Sequence, residues 1–177
     1  MRLKFYTANI NYCDFLRLSD PCVPHVHDTK NTRPFVGIIL SVGEFNYFAP
    51  LSSPKPKFAK MKNQINFLKI NEGIWGAINL NNMIPIHPNC LTEVNMEIFT
   101  TDSKSDVDYK NLLSNQLSWC NSNRIDIQTR AMKLYKTIIE GLGWESLTNR
   151  CCDFLKDEVQ YKEFCKQNGY TSIKECK

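Results

Sequence analysis

The chain has 177 residues, of which 42% are hydrophobic and 11% aromatic, and its net charge is +4. This composition excludes an intrinsically disordered chain and a histone-like basic protein. The length favours a single domain that comprises residues 1–177. No segment approaches the ~20 apolar residues of a membrane helix, and no apolar run of signal-peptide length follows Arg2 and Lys4. We therefore expect a cytoplasmic protein that does not associate with membranes.

The first half of the chain predicts short strands and one helix. Strands are expected where apolar, β-branched and aromatic residues gather between turn residues, over residues 3–7, 34–41, 45–51, 66–70, 76–80, 83–86 and 94–99. The segment 34–41 is apolar almost throughout, which predicts burial on both faces. Gly43 favours a tight hairpin turn into the next strand. Asn9 can cap a helix, and residues 19–33 predict a loop.

The second half of the chain predicts three helices. Ser105 followed by Asp108 resembles a capping box, which favours a helix start there. A second helix is expected over about residues 125–140 and a third over about residues 147–167, each followed by a glycine that can end it. Strands followed by helices predict an α+β fold, in which a strongly twisted antiparallel sheet carries appended helices, mostly C-terminal.

The eight cysteines follow no metal or redox spacing. No Cys-x-x-Cys pair occurs, and without a secretory signal we expect reduced thiols, most of them buried. A zinc-binding protein remains an alternative, because the pairs His25-x-His27 and His87-x-x-Cys90 could together supply four ligands. The pairs lie about sixty residues apart, which zinc sites tolerate but which is unspecific.

The segment Leu51-Ser52-Ser53-Pro54-Lys55 has the residue types of a phosphate site. Its proline restricts the chain and would hold the hydroxyls of Ser52 and Ser53 and the ammonium of Lys55 in a fixed relation. Such donors can stabilise the charge that develops on the non-bridging oxygens of a pentacovalent phosphate. The segment alone also fits an ordinary turn or a phosphorylation motif, so it indicates phosphate binding and not cleavage.

The order of five motifs resembles the ToxN/AbiQ family, which are ribonuclease toxins of type III toxin–antitoxin systems. The motifs are KFYT (4–7), RPFVGIIL (33–40), YFAPLSSPK (47–55), GAINLNNMIPI (76–86) and YKNLLSNQL (109–117). Their order and spacing are more specific than any one of them, and they cover roughly residues 2–140. The overall pattern is closest to the CptN branch of the family.

The resemblance implies the barrel-like sheet of MazF/Kid-type toxins, elaborated by helices. It also implies cleavage of single-stranded, adenine-rich RNA without a metal ion or other cofactor, giving 2′,3′-cyclic phosphate and 5′-hydroxyl ends. Ser53 matches the family's essential hydroxyl and Lys55 its essential cation, while Ser52 stands where threonine is usual. The general acid and base are not visible in the sequence, although His25 or His27 could reach the cleft.

RNA binding is expected to combine cations that follow the phosphates with aromatic rings on which bases stack. Between residues 55 and 69 the chain has five lysines and no carboxylate, although a solvated loop would look the same. The candidate RNA-binding residues are Arg33, Tyr47, Lys57, Phe58, Lys60, Lys62 and Lys69. The resemblance implies two RNA partners, cellular or phage mRNA as substrate and a pseudoknot-repeat antitoxin in a closed ring-like assembly. A non-catalytic RNA-binding module and a purely structural domain remain alternatives.

Overall fold

The computed structural model describes residues 2–26 and 34–171. Its strands are β1 (Lys4–Ala8), β2 (Phe35–Val42), β3 (Phe45–Ser52), β4 (Phe67–Lys69), β5 (Ala77–Asn79), β6 (Ile84–Pro85) and β7 (Leu91–Glu93). Its α-helices are α1 (Ile10–Arg17), α2 (Lys104–Ser122), α3 (Arg124–Ile139), α4 (Glu145–Thr148) and α5 (Phe154–Gln167). Short 3₁₀-helices span Pro56–Ala59, Asn71–Gly73, Leu80–Asn82 and Pro88–Cys90.

The seven strands form one antiparallel sheet in the order β4-β5-β3-β2-β1-β7, and β6 pairs with β3 outside this path. The α+β prediction is therefore confirmed. The predicted barrel is not closed among the described residues, because β4 and β7 end the path and do not pair with each other. The register between β2 and β3 shifts between Val36 and Leu40, and such an irregularity bends the strand pair.

The first helix begins as the sequence predicts. The side chain of Asn9 accepts a hydrogen bond from the amide of Tyr12 over 3.1 Å, which satisfies one of the free amides of the first turn. Tyr12, Cys13 and Leu16 form the buried face of α1. Tyr12 meets Phe164 of α5 edge to face, with ring centroids 5.0 Å apart, so the C-terminal helix packs against the N-terminal one.

The capping box lies two residues earlier than predicted. Ser103 accepts from the amide of Asp106, and the carboxylate of Asp106 accepts from the amide of Ser103, so these residues and not Ser105 and Asp108 start α2. Both serines have an aspartate three residues later, and the spacing alone cannot choose between them. The contacts of Asp102, which directly precedes Ser103, favour a helix start at Ser103. Its carboxylate accepts hydrogen bonds from the amide of Phe99 over 2.8 Å and from Lys110 Nζ over 2.6 Å.

Two other predicted elements, the strand over residues 94–99 and the third helix, differ from the structure. No strand covers residues 94–99 of the described chain; the strand β7 ends at Glu93, and Ile98 and Phe99 are 50% and 45% exposed. The predicted third helix is two helices, α4 and α5. The side chain of Asp153 accepts from the amide of Lys156 over 3.1 Å and so caps α5, which begins a new helix after the bend.

The core contains most of the cysteines and the tyrosine of the third motif. Of the seven cysteines within the described ranges, six are buried and all are free thiols, as predicted. Tyr47 is fully buried between Tyr135 and Phe154, and its hydroxyl donates to Glu158 Oε1 over 2.7 Å. Burial raises the pKa of the Tyr47 phenol. Among the described residues no helix is long and apolar enough to cross a membrane.

Candidate functional site

Ser52 is the last residue of β3 and is held from the neighbouring strand. It pairs with Ala77 in the antiparallel register of β3 and β5. From the same strand, Asn79 Nδ2 donates a hydrogen bond to Ser52 Oγ over 2.8 Å. Because the serine oxygen accepts this bond, its own proton can be donated to a ligand. The GAINLNNMIPI motif thus supplies the residue that orients the hydroxyl of the YFAPLSSPK motif.

Gly76 explains why that motif begins with glycine. A Cβ atom at this position would lie 2.1 Å from the carbonyl oxygen of Ser52 and 3.3 Å from the carbonyl carbon of Ser53. The residue also has φ of +107°, which side chains other than that of glycine rarely adopt. Both constraints require glycine, so Gly76 permits β5 to approach the Ser52–Ser53 peptide closely.

Lys55 lies in the loop that follows β3, and a buried residue of the next 3₁₀-helix anchors this loop. Ser53, Pro54 and Lys55 are exposed where the chain leaves the sheet. The amide of Phe58 donates to the Lys55 carbonyl over 2.9 Å at the start of the 3₁₀-helix Pro56–Ala59. The Phe58 ring is 3% exposed and meets Phe67 edge to face at 5.2 Å. Phe58 is therefore an anchor of the loop, and the prediction that it stacks on bases is wrong.

These elements enclose a groove of about 340 Å³, called here the Ser52–Arg150 groove. The residues that line it are Ser52, Lys55, Lys57, Phe58, Met61, Gln64, Asn66, Phe67, Asn79, Asn81 and Arg150. Three of these side chains are cationic, and within the described ranges no lining residue is Asp or Glu. A groove of this kind attracts a polyanion and offers it several hydrogen-bond donors. Ser53 is exposed next to the groove but does not line it.

Asn66 adds an uncommitted polar atom to the groove. The residue is 6% exposed, and its Oδ1 has no hydrogen-bond partner among the described residues. Its carbonyl accepts from the amide of Asn81 over 3.2 Å, which ties it to the next wall of the groove. A buried amide oxygen without a partner is costly.

Arg150 is a groove residue that the sequence did not indicate. It follows α4 in a region that none of the five motifs covers. Asn81 Nδ2 donates to the Arg150 carbonyl over 2.8 Å, and Arg150 Nε donates to the Ser146 carbonyl over 2.7 Å. These two bonds place the guanidinium beside the groove. A sequence signal is lacking, because an arginine at the end of a short helix is ordinary.

The remaining cationic candidates divide into two groups. Lys60 and Lys62 are exposed but do not line the groove. The Lys69 side chain is only 10% exposed, and its Nζ lies 3.2 Å from Glu72 Oε2. Lys69 is thus paired within the protein, and the prediction that it follows RNA phosphates is wrong. Arg33 lies outside the described residues.

Tyr47 is also corrected. Its ring lies in the core among other aromatic rings, with 0% exposure, and cannot stack on a base. All residues from Tyr47 to Leu51 on β3 are buried, so the alternation of side chains along the strand does not tell which of them face a ligand.

The structure does not assemble the zinc ligands that the sequence offered. The amide of Asn89 donates to His87 Nδ1 over 3.2 Å, and His87 Nε2 lies 3.1 Å from the Thr171 carbonyl, so both ring nitrogens are engaged. His25 is exposed, and His27 lies outside the described residues. Within the described ranges, three metal-ligating side chains have ligand atoms within 4.8 Å of one another, and these are Asp20, Cys152 and Asp157. Neither His25, His87 nor Cys90 belongs to this group.

Comparisons with known proteins agree on one family. A family model described as "Toxin ToxN, type III toxin-antitoxin system" matches residues 4–162. The chain is 29% identical to Endoribonuclease ToxN of Bacillus thuringiensis subsp. kurstaki, over 91% of this chain and 84% of that protein. It is also 29% identical to Endoribonuclease ToxN of Pectobacterium atrosepticum, over 93% of this chain and 95% of that protein.

Solved structures of similar proteins share the fold. One, described as "A processed non-coding RNA regulates a bacterial antiviral system", has a TM-score of 0.77 at 28% identity, covering 91% of this chain and 98% of that one. A second, described with "selective toxin inhibition by a non-coding RNA pseudoknot", has a TM-score of 0.76 at 27% identity, covering 93% and 98%. Lactococcal AbiQ, at 24% identity and a TM-score of 0.79 over 94% and 99%, agrees in fold.

Proposed function

The chain belongs to the ToxN family of type III toxin–antitoxin toxins, and we propose that the Ser52–Arg150 groove is where it cleaves RNA. It is an endoribonuclease toxin of this system, as its relatives are. The observation that carries the proposed site is the groove itself, in which Ser52, Lys55 and Arg150 meet without a carboxylate. Such a surface has no negative charge that would repel a phosphate, and several of its side chains can bind one phosphate at the same time.

The proposed reaction uses the RNA's own 2′-hydroxyl as the nucleophile. Its oxygen attacks the adjacent phosphorus, the bond from phosphorus to the 5′-oxygen breaks, and a 2′,3′-cyclic phosphate and a 5′-hydroxyl result. One proton leaves the 2′-hydroxyl and one is gained by the 5′-oxygen, so the step balances without a co-reactant. Lys55 and the donors around Ser53 stabilise the negative charge of the phosphorane.

Ser52 and Ser53 are assigned separate parts of this task. The hydroxyl of Ser52 accepts a hydrogen bond from Asn79, which leaves its proton to be donated to the phosphate. Ser53, at the exposed edge of the groove, positions the scissile phosphate or the 2′-hydroxyl. A serine hydroxyl is too weak an acid and base to carry both protons. Within the described ranges no His, Asp or Glu lines the groove, so its lining supplies none of the side chains that most often act as a general base near neutral pH.

The RNA is proposed to follow the cationic side chains out of the groove. Lys57 and Arg150 lie inside it and contact the phosphates next to the cut. Lys60 and Lys62 continue the positive charge outside it, and Arg33 is proposed to flank the cleft. We propose single-stranded, adenine-rich RNA as substrate, for which Asn66 is a candidate reader because an asparagine amide can pair with adenine.

We propose the RNA partners and the biological role of this chain by analogy with its relatives. A similar protein is inhibited by a non-coding RNA pseudoknot, and we propose a pseudoknot-repeat antitoxin in a closed ring-like assembly for this chain. Its RNA targets are cellular or phage mRNA, its role is defence against phage by abortive infection, and its place is the cytoplasm. The single-domain organisation over residues 1–177, the kinship with MazF/Kid-type sheets and the CptN assignment stay predictions.

A cleavage assay tests the mechanism. An adenine-rich oligonucleotide is incubated with the protein in EDTA, beside the same oligonucleotide with one 2′-deoxy residue at the cut site. We expect cleavage of the first only, with a 2′,3′-cyclic phosphate end by mass spectrometry. Cleavage of the deoxy substrate at that position would disprove the 2′-hydroxyl mechanism.

Variants test the residues. Ser53→Ala and Lys55→Gln should each lower the cleavage rate by about 10²–10³ and relieve the growth arrest that the toxin causes. Ser41→Ala is the matched control, because Ser41 is an exposed serine at the other end of the β2–β3 hairpin. If the protein binds the oligonucleotide but never cuts it, the chain is an RNA-binding module without catalysis.

A further inference from the structure

Three potential metal ligands meet in the interior, and none of them lines the groove. Asp20 follows α1, Cys152 precedes α5, and Asp157 lies in the first turn of α5. One carboxylate oxygen of each aspartate and the cysteine sulfur lie within 4.8 Å of one another. Asp20 is 4% exposed and the other two are 0% exposed. Three side chains that can each carry negative charge therefore lie close together in the interior.

The carboxylate of Asp157 lacks any partner that would justify its burial. Neither of its oxygens has a hydrogen bond to any described residue. Asp20, by contrast, accepts from the amide of Cys22 over 2.8 Å and from the amide of Asp153 over 2.7 Å. Lys156 is the nearest cation along the chain, and its ammonium donates to the Ser19 carbonyl over 2.9 Å. An ionised buried carboxylate without a partner is strongly unfavourable, so this space requires a cation or a proton.

We propose that Asp20, Cys152 and Asp157 bind one transition-metal ion, with zinc as the best-matched occupant. Zinc accepts thiolate and carboxylate ligands together in tetrahedral geometry, whereas calcium and magnesium take oxygen ligands. Tetrahedral zinc places its ligand atoms about 3.5 Å apart, so small side-chain movements would close the observed group around the ion. The fourth position is left to a water molecule.

The surroundings of the three ligands fit a structural metal centre. The two amides that donate to Asp20 hold its carboxylate in place, as the neighbours of metal-bound carboxylates generally do. Asp157 is fully buried and neither of its carboxylate oxygens has a hydrogen-bond partner among the described residues, so its ionised form carries a large desolvation penalty. A bound ion would remove this penalty and keep all three ligands deprotonated.

The proposed ion would fix one wall of the groove without taking part in the reaction. The amide of Cys152 donates to the Asn81 carbonyl over 2.8 Å, and Asn81 Nδ2 donates to the Arg150 carbonyl over 2.8 Å. A metal that holds Cys152 to Asp20 therefore also holds the segment that presents Arg150. Neither Asp20, Cys152 nor Asp157 lines the groove, so the inference does not rest on the proposed function.

Elemental analysis of the untagged full chain after dialysis tests the proposal first. We expect about one zinc ion per chain. After exchange, cobalt should give the charge-transfer absorption of a thiolate-to-cobalt bond in the near ultraviolet. These two measurements use the unaltered chain, so they decide the matter even if variants fail to fold. A metal-free protein, or a cobalt protein without that absorption, would overturn the proposal, and a protonated Asp157 would then explain the cluster.

Variants locate the site. Cys152→Ser and Asp157→Asn should lower the bound zinc to less than about a tenth of an ion per chain, because each removes one of three protein ligands. Cys120→Ser is the matched control, since Cys120 is a fully buried free thiol on α2 outside the cluster. A strong chelator should lower the melting temperature of the parent and the control by more than about 5 °C. Equal zinc in Cys152→Ser and Cys120→Ser would exclude this site.

Discussion

Asn79 donates a hydrogen bond from Nδ2 to Ser52 Oγ over 2.8 Å, across the pairing of β5 with β3. The same nitrogen lies 3.4 Å from the Pro50 carbonyl, so the amide is held by two oxygens of one strand. This arrangement fixes the polarity of Ser52: its oxygen accepts and its proton is left for the groove. A hydroxyl oriented before the substrate arrives needs no reorganisation during the reaction.

Reversing that polarity should impair cleavage while the groove remains intact. In Asn79→Asp the carboxylate accepts from Ser52, so the serine proton turns away from the phosphate. We expect kcat to fall by about 10–10²-fold because the serine proton is lost to the transition state, and KM to rise because the new carboxylate lies in a groove that otherwise has none. Steady-state kinetics on an adenine-rich oligonucleotide give both constants.

A double-mutant cycle separates this effect from a general disturbance. Once Ser52→Ala has removed the hydroxyl, adding Asn79→Asp should change kcat by no more than about twofold. A loss by Asn79→Asp that is as large in the Ser52→Ala background as in the parent would show that Asn79 acts through another route.

Gly76→Ala should displace the main chain of Ser52 and Ser53 and so disrupt the site. The new Cβ would lie 2.1 Å from the Ser52 carbonyl oxygen, and φ at this residue is +107°. We expect a loss of about 3 kcal/mol in the free energy of unfolding and a loss of cleavage in the protein that still folds. Gly43→Ala is the control, because Gly43 also has positive φ, +59°, but nothing lies within 4 Å of the added atom.

The control should lose only about 1 kcal/mol and retain its cleavage activity. Urea denaturation and the oligonucleotide assay measure the two quantities. If Gly76→Ala were as stable and as active as Gly43→Ala, the close approach of β5 to Ser52 and Ser53 would have no functional meaning.

The sequence predicted the fold where periodicity and local hydrogen bonds decide the structure. The long apolar strand before Gly43 and the cap at Asn9 depend on neighbours within a few residues, and both are confirmed. Residues 94–99 alternate in the manner of a strand but find no partner strand among the described residues, and pairing cannot be seen locally. Ser103 and Ser105 each have an aspartate three residues later, so spacing alone predicts two possible helix starts. The contacts of Asp102 favour the start at Ser103.

The site was predictable only in part, for the same reason. Ser52 and Lys55, which are close in sequence, both line the groove, whereas Ser53 between them does not. Arg150 reaches the groove through bonds to Asn81, 69 residues earlier in the chain, which no motif encodes. Tyr47 and Phe58 are predicted to bind RNA because they are aromatic rings near the cationic run, but tertiary packing, which the local sequence does not show, buries both.

Salt dependence should distinguish the cations of the groove from those elsewhere. Lys57 and Arg150 line the groove, so each should release about one counterion when RNA binds. Lys57→Ala and Arg150→Ala should each weaken binding and reduce the slope of log Kd against log salt by about 0.7, the value for a single strand. Fluorescence anisotropy with a labelled, uncleavable 2′-deoxy oligonucleotide gives the slopes.

The control for charge alone is Lys136→Ala, an exposed lysine on α3. It removes the same net charge and should leave the slope within error of the parent value. Lys62→Ala should lie between these extremes, because Lys62 is near the groove in sequence but does not line it. Equal slopes for Lys57→Ala and Lys136→Ala would place the RNA somewhere other than the groove.

The pair of Asp102 and Lys110 should make the start of α2 sensitive to acid. Lys110 Nζ lies 2.6 Å from Asp102 Oδ2, and the two side chains are only 17% and 14% exposed. The hydrogen bond from Lys110, followed by that from the amide of Phe99, lowers the pKa of Asp102 from its ordinary value of 3.8. A lowered pKa means that the contribution to stability is complete above the unfolded pKa, near 4, and is lost as the pH falls through the lower folded value.

Asp102→Asn should therefore melt at a lower temperature than the parent at pH 7, by roughly a few degrees, and should lose less of its stability on acidification below about pH 4. Thermal melts between pH 7 and pH 2.5 measure both effects. Asp108→Asn is the control, because Asp108 is an exposed carboxylate of the same helix, and its melts should follow the parent curve. Were Asp102→Asn and Asp108→Asn to lose stability in parallel as the pH falls, the ion pair would not hold the start of α2.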